Sequence, residues 1–323
     1  MKVAVMDGWG ADSMFSVSET NIPTIKSDEV LVEVCASSIN PVDWKVHKVL
    51  SYLPNNGGII KPIIAGSDLA GKVIEVGSKV SDFSVGDEVY GMKIYSGAYS
   101  EYVAIKAKVI TKKPRNLNFA EAAAIPLAGL TAIQGLQAAN INSESKIFVI
   151  GASGGVGSLI VQLAKALGAE VTAVCSGKNV DLVKTLGADE VIDYSTTDYM
   201  CDPNYQKHEF DLVYDTVGLQ CLENCKHFLK PNGFYATIWP NFSSAFEIAR
   251  SFIFRSGQRS IFPGVLPSKR DLEELTRYIE SEKLKPILDR ELSLEDLNEG
   301  MSLSKSKRTV GKIVINLKDK QPI

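Results

Sequence analysis

One stretch constrains this chain more than any other. Lys146-Ile-Phe-Val-Ile150 is a continuous apolar run, and Gly151-Ala-Ser-Gly154-Gly155-Val-Gly157 follows at once. Val156, Leu159, Ile160, Leu163, Ala164 and Leu167 then recur at i, i+3, i+4 spacing until Gly168. A short apolar run bounded by turn residues reads as a strand buried on both faces of a parallel sheet. The periodic segment reads as an amphipathic helix stopped by glycine. Strand, glycine turn and helix in that order open a doubly wound α/β fold. The rhythm continues with strands at 170–175, 190–193, 211–215 and 233–239. Helices are expected between them, from an Asn179 N-cap to about Leu186 before Gly187, and over 219–229.

The flanks differ. Strand-prone runs at 2–6, 29–38, 69–76 and 88–90 are punctuated by Gly and Pro, with turns at Gly77-Ser78 and Val85-Gly86-Asp87. That spacing predicts a small β-barrel or sandwich. Residues 119–139 read as helix interrupted by Pro126 and two glycines. After the α/β part come a polar amphipathic helix over 269–281 with Ser268 as N-cap, a helix over 294–303 and a strand over 311–317. A lone strand after two helices has no partner of its own, so it is expected to pair back with the first β region. The resulting map is 1–125 β-domain, 126–260 Rossmann-type domain and 261–323 return to the β-domain. Two domains also suit 323 residues.

Composition excludes several classes. With 35 basic and 38 acidic residues the net charge is −3, which gives no basic face for nucleic acid or anionic lipid. No apolar run reaches about 18 residues, so no membrane span is expected. Asp7 and Gly8 come too early for a secretory signal, and a cytoplasmic location is the simplest expectation. Cys35, Cys175, Cys201, Cys221 and Cys225 are scattered without CxxC spacing. Three histidines cannot complete a zinc set with them. Cys221 and Cys225 are read as an apolar pair on one helix face.

The glycine turn is a GxGxxG variant in which Ala152 replaces the first glycine. Such turns let backbone amides approach a pyrophosphate, and the following helix N-terminus adds unsatisfied N–H groups. Ser153, Gly154, Gly155 and Val156 are therefore the expected dinucleotide contacts. NAD-binding folds usually place a carboxylate at the end of the next strand to hold the ribose 2′-hydroxyl. Val174-Cys175-Ser176-Gly177-Lys178-Asn179 has none. Ser176 and Lys178 offer a hydroxyl and an ammonium to a 2′-phosphate, which favours NADPH. The plainer reading of Lys178 is a solvated lysine.

Asn40-Pro-Val-Asp43-Trp-Lys45, Gly66-Ser-Asp68-Leu-Ala-Gly71-Lys-Val-Ile-Glu-Val-Gly77 and Val85-Gly-Asp-Glu-Val89 look like the N-terminal markers of the medium-chain dehydrogenase/reductase superfamily. The run from Ala122 to Ala132, Gly187-Ala-Asp-Glu-Val-Ile-Asp-Tyr194 and Val310-Gly-Lys-Ile-Val314 complete the set in order. Within the superfamily the chain resembles the zinc-independent quinone oxidoreductase branch, above all its chloroplast-envelope and enone-reducing members. Gly66-Ser67-Asp68 stands where zinc-dependent members carry Gly-His-Glu, and a four-cysteine lobe is missing. The resemblance implies a GroES-like β-barrel domain interrupted by a Rossmann domain. It also implies a homodimer through the Rossmann sheet edge near 260–265. The implied activity is NADPH-dependent hydride transfer to the C=C bond of an α,β-unsaturated ketone, or to a quinone, with no metal.

By the same resemblance Asn40, Pro41 and Asp43 lie at the nicotinamide end of the cofactor. Lys45 and Tyr52 are candidate donors to the enolate oxygen. Thr131, Tyr194, Val217, Gly218, Ile238 and Lys312 are candidate cofactor contacts. Each has a plainer alternative: a turn cap for Asn40, a surface helix start for Asp43 and Lys45, and a loop aromatic for Tyr52. Thr131 can bond its own backbone, Tyr194 can be a strand-end core aromatic, and Lys312 a surface lysine. His47 is read as structural or exposed. Phe242, Phe246, Phe252, Phe254 and Phe262 line an apolar substrate pocket or serve core and dimer contacts. Two other functions stay open: reduction of an enoyl thioester, and NADPH binding without turnover as a redox sensor.

Overall fold

The computed structural model describes residues 1–7, 14–50, 64–94, 97–239, 247–248 and 257–318, with backbone alone over 46–50. They form two compact units. Unit 1 comprises Met1–Leu127, Pro267–Glu280 and Pro286–Ile323, and unit 2 comprises Ala128–Leu266 and Ser281–Lys285. The first crossing thus falls after Leu127 against an expected 125, and the second at Pro267 against 261. The brief return of Ser281–Lys285 to unit 2 has no counterpart in the sequence reading.

Unit 1 is built on β3 (Glu29–Ser38), whose Val30, Val32 and Val34 are fully buried. The sheet order is β14 (Leu288–Ser293), β15 (Lys312–Asn316), β3, β4 (Asp68–Val76), β5 (Glu88–Met92), β7 (Ile110–Lys112), and β6 (Tyr102–Lys106) also pairs with β3. Two register shifts bend the β3–β4 pair. Gly71 makes the closest approach, since a Cβ there would press on the Glu33 carbonyl. The last strand does pair back, antiparallel to β3. It also has a partner of its own, β14, in parallel. Strands β1 (Lys2–Asp7) and β2 (Met14–Glu19) form a separate two-stranded sheet.

Helix α1 (Pro41–Leu50) starts directly after β3. The expected helix over 119–139 is two helices, α2 (Phe119–Ala123) and α3 (Pro126–Ala138). Pro126 has no N–H to donate and disfavours helical backbone at the residue before it, so the break falls there. Asn118 and Glu121 form a reciprocal capping box on α2.

In the return segment, Ser268 Oγ accepts from the Asp271 N–H at 3.2 Å and so caps α7 (Lys269–Glu280). Leu272, Leu275 and Ile279 form its buried stripe. Helix α8 (Leu297–Lys305) comes so close to the end of β3 that a Cβ on Gly300 would overlap the Ile39 side chain.

Unit 2 is a six-stranded parallel sheet in the order β10-β9-β8-β11-β12-β13. The strands are β8 (Lys146–Ile150), β9 (Glu170–Cys175), β10 (Glu190–Asp193), β11 (Phe210–Asp215), β12 (Leu229–Thr237) and β13 (Arg259–Ile261). Helix α4 (Gly155–Ala166) links β8 to β9, and α5 (Val180–Thr185) links β9 to β10. The strand order reverses between β8 and β11, the point where doubly wound sheets bind ligands at the strand carboxyl ends. The helix expected over 219–229 shrinks to α6 (Leu222–Cys225). The backbone amides of residues 217–220 are already committed to Asp215, and β12 begins at Leu229. Cys225 is buried on α6, while Cys221 is the flanking cap residue.

Candidate active site

The glycine turn of unit 2 is tight for identifiable reasons. Gly151 has φ +83°, and both Gly151 N and Ala152 N donate to the Val174 carbonyl at 3.0 Å. That ties the turn to β9. Thr216 Oγ1 donates to the Ile150 carbonyl at 2.8 Å and fastens the end of β11 to the same turn. A Cβ on Gly151 would lie 2.7 Å from Val217 Cγ2, so Val217 packs directly on the turn. A Cβ on Gly157 would run into the Gly151 carbonyl and lie 2.9 Å from Ala152 Cα. At Gly154 the nearest atom would be 3.4 Å away. Gly157 therefore serves helix–turn packing, and Gly154 leaves open space where a ligand backbone group can approach. Gly154 is the N-cap of α4 and gives no side-chain cap, so the first-turn amides of Gly155, Val156 and Gly157 stay available to an anion.

At the end of β9, Asn179 departs from expectation. It makes no side-chain cap for α5. Its carboxamide instead donates to Ser153 Oγ at 2.9 Å and to Ser176 Oγ at 3.1 Å. Two of the expected cofactor residues are thus joined by a third that the sequence reading took only as a helix cap. Lys178 is exposed on the short turn beside them. Tyr194 is 58% exposed, which removes the core-aromatic alternative.

At the end of β11, the buried Asp215 carboxylate accepts four backbone N–H groups, Val217 and Gly218 on one oxygen and Leu219 and Gln220 on the other. Tyr235 OH adds a fifth bond at 3.1 Å. This cage sets the path of Val217 and Gly218. Gly218 has φ +75° and passes close to the Trp239 carbonyl. Ile238 N donates to the Asp215 carbonyl at 3.3 Å. Thr131 is buried in α3, and its carbonyl accepts from Tyr214 OH at 2.8 Å.

Unit 1 holds a buried polar cluster around the β3–α1 junction. Asp68 Oδ2 accepts from Ser38 Oγ at 2.6 Å and Asn40 Nδ2 at 2.8 Å, and Asp68 Oδ1 accepts from Leu127 N at 2.7 Å. Lys312 Nζ lies 3.6 Å from Asp68 Oδ2 and donates to the Ile39 carbonyl at 3.0 Å and to Asn40 Oδ1 at 2.5 Å. Lys312 is 6% exposed, so it is not the surface lysine that its position before a strand also allowed. Burial pushes its pKa down, against the pull of Asp68 and Asp43.

Asp43 Oδ2 accepts from Asn40 N at 2.8 Å and Tyr99 OH at 2.7 Å, and its Oδ1 from Ser67 Oγ at 3.3 Å. Burial pushes the Asp43 carboxyl up to about 6, partly countered by the bonds from Tyr99 and Asn40. Asn40 and Asp43 are 2% and 3% exposed, so Asp43 is no ordinary surface helix start. In this arrangement the Asp43 side chain closes the first turn of α1 on the Asn40 N–H, and the Asn40 carboxamide ties the residue before the helix to Asp68 and Lys312. Pro41, the first residue of that helix, is exposed.

Lys45 lies one turn on, with its ammonium 5.5 Å from the Trp44 ring centre. Partial burial, helped by Lys307, lowers it to about 8. Tyr52, Phe242, Phe246, Phe252 and Phe254 lie outside the described residues, as does the side chain of His47. Phe262 is 44% exposed. Among the described residues no group of three or more His, Cys, Asp or Glu side chains is placed to hold a metal ion, and no helix is long and apolar enough to cross a membrane.

Asp68, Tyr99, Asn179 and Asp215 are the site residues that the sequence reading did not single out. An Asp at a strand end before Thr-Val-Gly is an available signal for the Asp215 turn. Tyr99 has none, because its partner Asp43 is 56 positions away.

Known proteins agree with this architecture. Residues 26–115 match the family described as alcohol dehydrogenase GroES-like domain, and residues 186–315 match zinc-binding dehydrogenase. The chain is 33% identical to the chloroplast envelope quinone oxidoreductase homolog of Arabidopsis thaliana, over 95% of each. It is 32% identical to the NADPH-dependent alkenal/one oxidoreductase of the same plant, covering 96% of this chain and 77% of that protein. The quinone oxidoreductase of Coxiella burnetii superposes with a TM-score of 0.87 at 28% identity, covering 98% of this chain and 99% of that one. The chain belongs to the medium-chain dehydrogenase/reductase superfamily, among its quinone oxidoreductases and enone reductases.

Proposed function

We propose that this chain is an NADPH-dependent oxidoreductase that reduces the C=C bond of α,β-unsaturated ketones, or quinones, without zinc. The observation that carries the reading is the turn Gly151–Gly157, tied to β9 and β11 and opening α4 with uncapped amides. The space beside Gly154 suits a pyrophosphate, and Ser176 and Lys178 suit a 2′-phosphate. The NADPH-dependent relative supports the same cofactor.

When bound, the dinucleotide supplies the reducing equivalent; the protein supplies orientation and polarity. Lys45 Nζ is the proposed hydrogen-bond donor to the substrate oxygen on which charge develops. An ammonium with pKa about 8 is protonated at neutral pH and close enough to it to give up a proton. Asn40 and Asp43 act by fixing the turn that presents Lys45.

The residues at 66–68 do not fit a zinc ion. Asp68 is engaged by Ser38, Asn40 and the Leu127 amide, and the Lys312 ammonium already supplies a neighbouring positive charge. Dimerisation through β13, at the edge of the unit 2 sheet, belongs to the same reading.

The test is loss of reduced-nicotinamide absorbance on mixing the protein with NADPH and a panel of enones, quinones and enoyl thioesters. Oxidation with enones or quinones is expected. NADPH binding with no acceptor used would leave a binding protein, and equal use of NADH would remove the 2′-phosphate assignment.

A further inference from the structure

The hydrogen-bond polarity at the end of β9 is inverted relative to a fold that holds a ribose diol with a carboxylate. A carboxylate accepts; it selects ribose hydroxyls and repels phosphate. Here the side chain buried at that place is Asn179, 9% exposed. Both of its Nδ2 hydrogens are used, one on Ser153 Oγ and one on Ser176 Oγ. A serine hydroxyl has one hydrogen and two lone pairs. Accepting from Asn179 occupies a lone pair and keeps the hydroxyl hydrogen from turning back toward the amide. Each serine is thereby left as a donor facing away from Asn179. Ser153 sits in the glycine turn and Ser176 at the end of the next strand, so one neutral amide orients donors in both places.

The carboxylate of Asp193, on β10, lies against the same turn. It takes the Gly177 N–H, and its Oδ1 accepts from Ser195 N at 2.9 Å and Ser195 Oγ at 2.7 Å. Those bonds hold it below the usual carboxylate range. Asp193 thus braces the turn while its oxygens are engaged within the protein.

We propose that Asn179 is the positioning residue that sets cofactor specificity, by holding the Ser176 hydroxyl as a donor to the 2′-phosphate of NADPH. This rests on the NADPH reading above. A residue that merely braced the fold would affect all adenine nucleotides alike. A polarity device acting through Ser176 affects those carrying the 2′-phosphate most.

The experiment is calorimetric titration with adenosine 2′,5′-bisphosphate and with 5′-AMP, which differ only in the 2′-phosphate and need no turnover. The wild type is expected to prefer the 2′-phosphorylated probe at least tenfold. Asn179→Ala is expected to cut that preference to about threefold or less, while weakening 5′-AMP, which loses only the Ser153 donor, by a smaller factor. Ser176→Ala should cut the preference likewise, and the double variant should show no lower preference than Ser176→Ala alone, because the amide acts on the 2′-phosphate through that hydroxyl. Asn179→Ser, too short to reach both serines, is the milder perturbation should the alanine variant fold poorly. A preference retained in the Asn179 variants, equal losses for both probes, or additive effects in the double variant would overturn the proposal. A wild type without preference would instead overturn the NADPH reading, and the proposal with it.

Discussion

Asp43→Asn is the most informative single change in unit 1. Burial raises the Asp43 carboxyl from 3.8 to about 6, so the fold favours its protonated form. Between pH 4 and 6 the folded state holds a proton that the unfolded chain releases. Stability therefore falls as pH rises through that window and levels off above about pH 7. A shift of roughly two units corresponds to about 3 kcal/mol that the ionised group costs at neutral pH. Asparagine can replace every bond: its Oδ1 accepts from Asn40 N and Tyr99 OH, and its amide donates to Ser67 Oγ. The variant should match the wild type near pH 4 and gain about 3 kcal/mol on it by pH 7.5. Urea denaturation of both proteins at matched pH values measures this, and other carboxylates cancel in the difference. A difference that stays constant from pH 4 to 7.5 would refute the assignment of the titration to Asp43.

Three further outcomes follow from the same geometry. Lys312→Met leaves Asp68 without its cation and Asn40 Oδ1 without its donor, at a cost of about 3–5 kcal/mol in denaturant unfolding. Adding Asp68→Asn should recover part of that loss. Gly157→Ala should lower thermal stability, because its Cβ meets the Gly151 backbone. Gly154→Ala, with 3.4 Å to the nearest atom, should leave the melting temperature nearly unchanged and weaken dinucleotide binding more than tenfold in a titration. Lys45→Met should lower kcat, and the wild-type pH–rate profile should show an alkaline limb near pH 8 that the variant lacks.

Elements whose information is local were legible in the chain. β8, β9 and β10 fall within the ranges their apolar runs predicted, and Gly168 and Gly187, at φ +88° and +102°, end their helices as expected. β14 was not legible, because Leu-Asp-Arg-Glu-Leu-Ser is an edge strand with too little apolar content to betray it. The helix over 219–229 is shorter for another reason: bonds to Asp215 set the path of residues 217–220, so α6 starts only at Leu222, and β12 takes the chain at Leu229. The candidate site divides the same way. The glycine turn announces itself within seven residues. Lys312 and Asn40 are 272 positions apart, and only the pairing of β15 with β3 brings them together.

The buried cluster of unit 1 also explains how this member of the superfamily balances charge around Asp68. A divalent cation could neutralise two buried carboxylates at once. Lys312 brings one positive charge, and its ammonium lies 3.6 Å from Asp68. Asp43 takes its hydrogen bonds from neutral donors, the Asn40 amide and the Tyr99 and Ser67 hydroxyls, with a weaker pull from Lys312 than from Tyr99 and Asn40. Neutral donors stabilise a buried carboxylate less than a cation does, so desolvation prevails and its pKa rises. The elevated Asp43 and the Lys312 pair are thus two sides of one arrangement: the single ammonium is paired with Asp68, and its pull on Asp43 is too weak to offset burial.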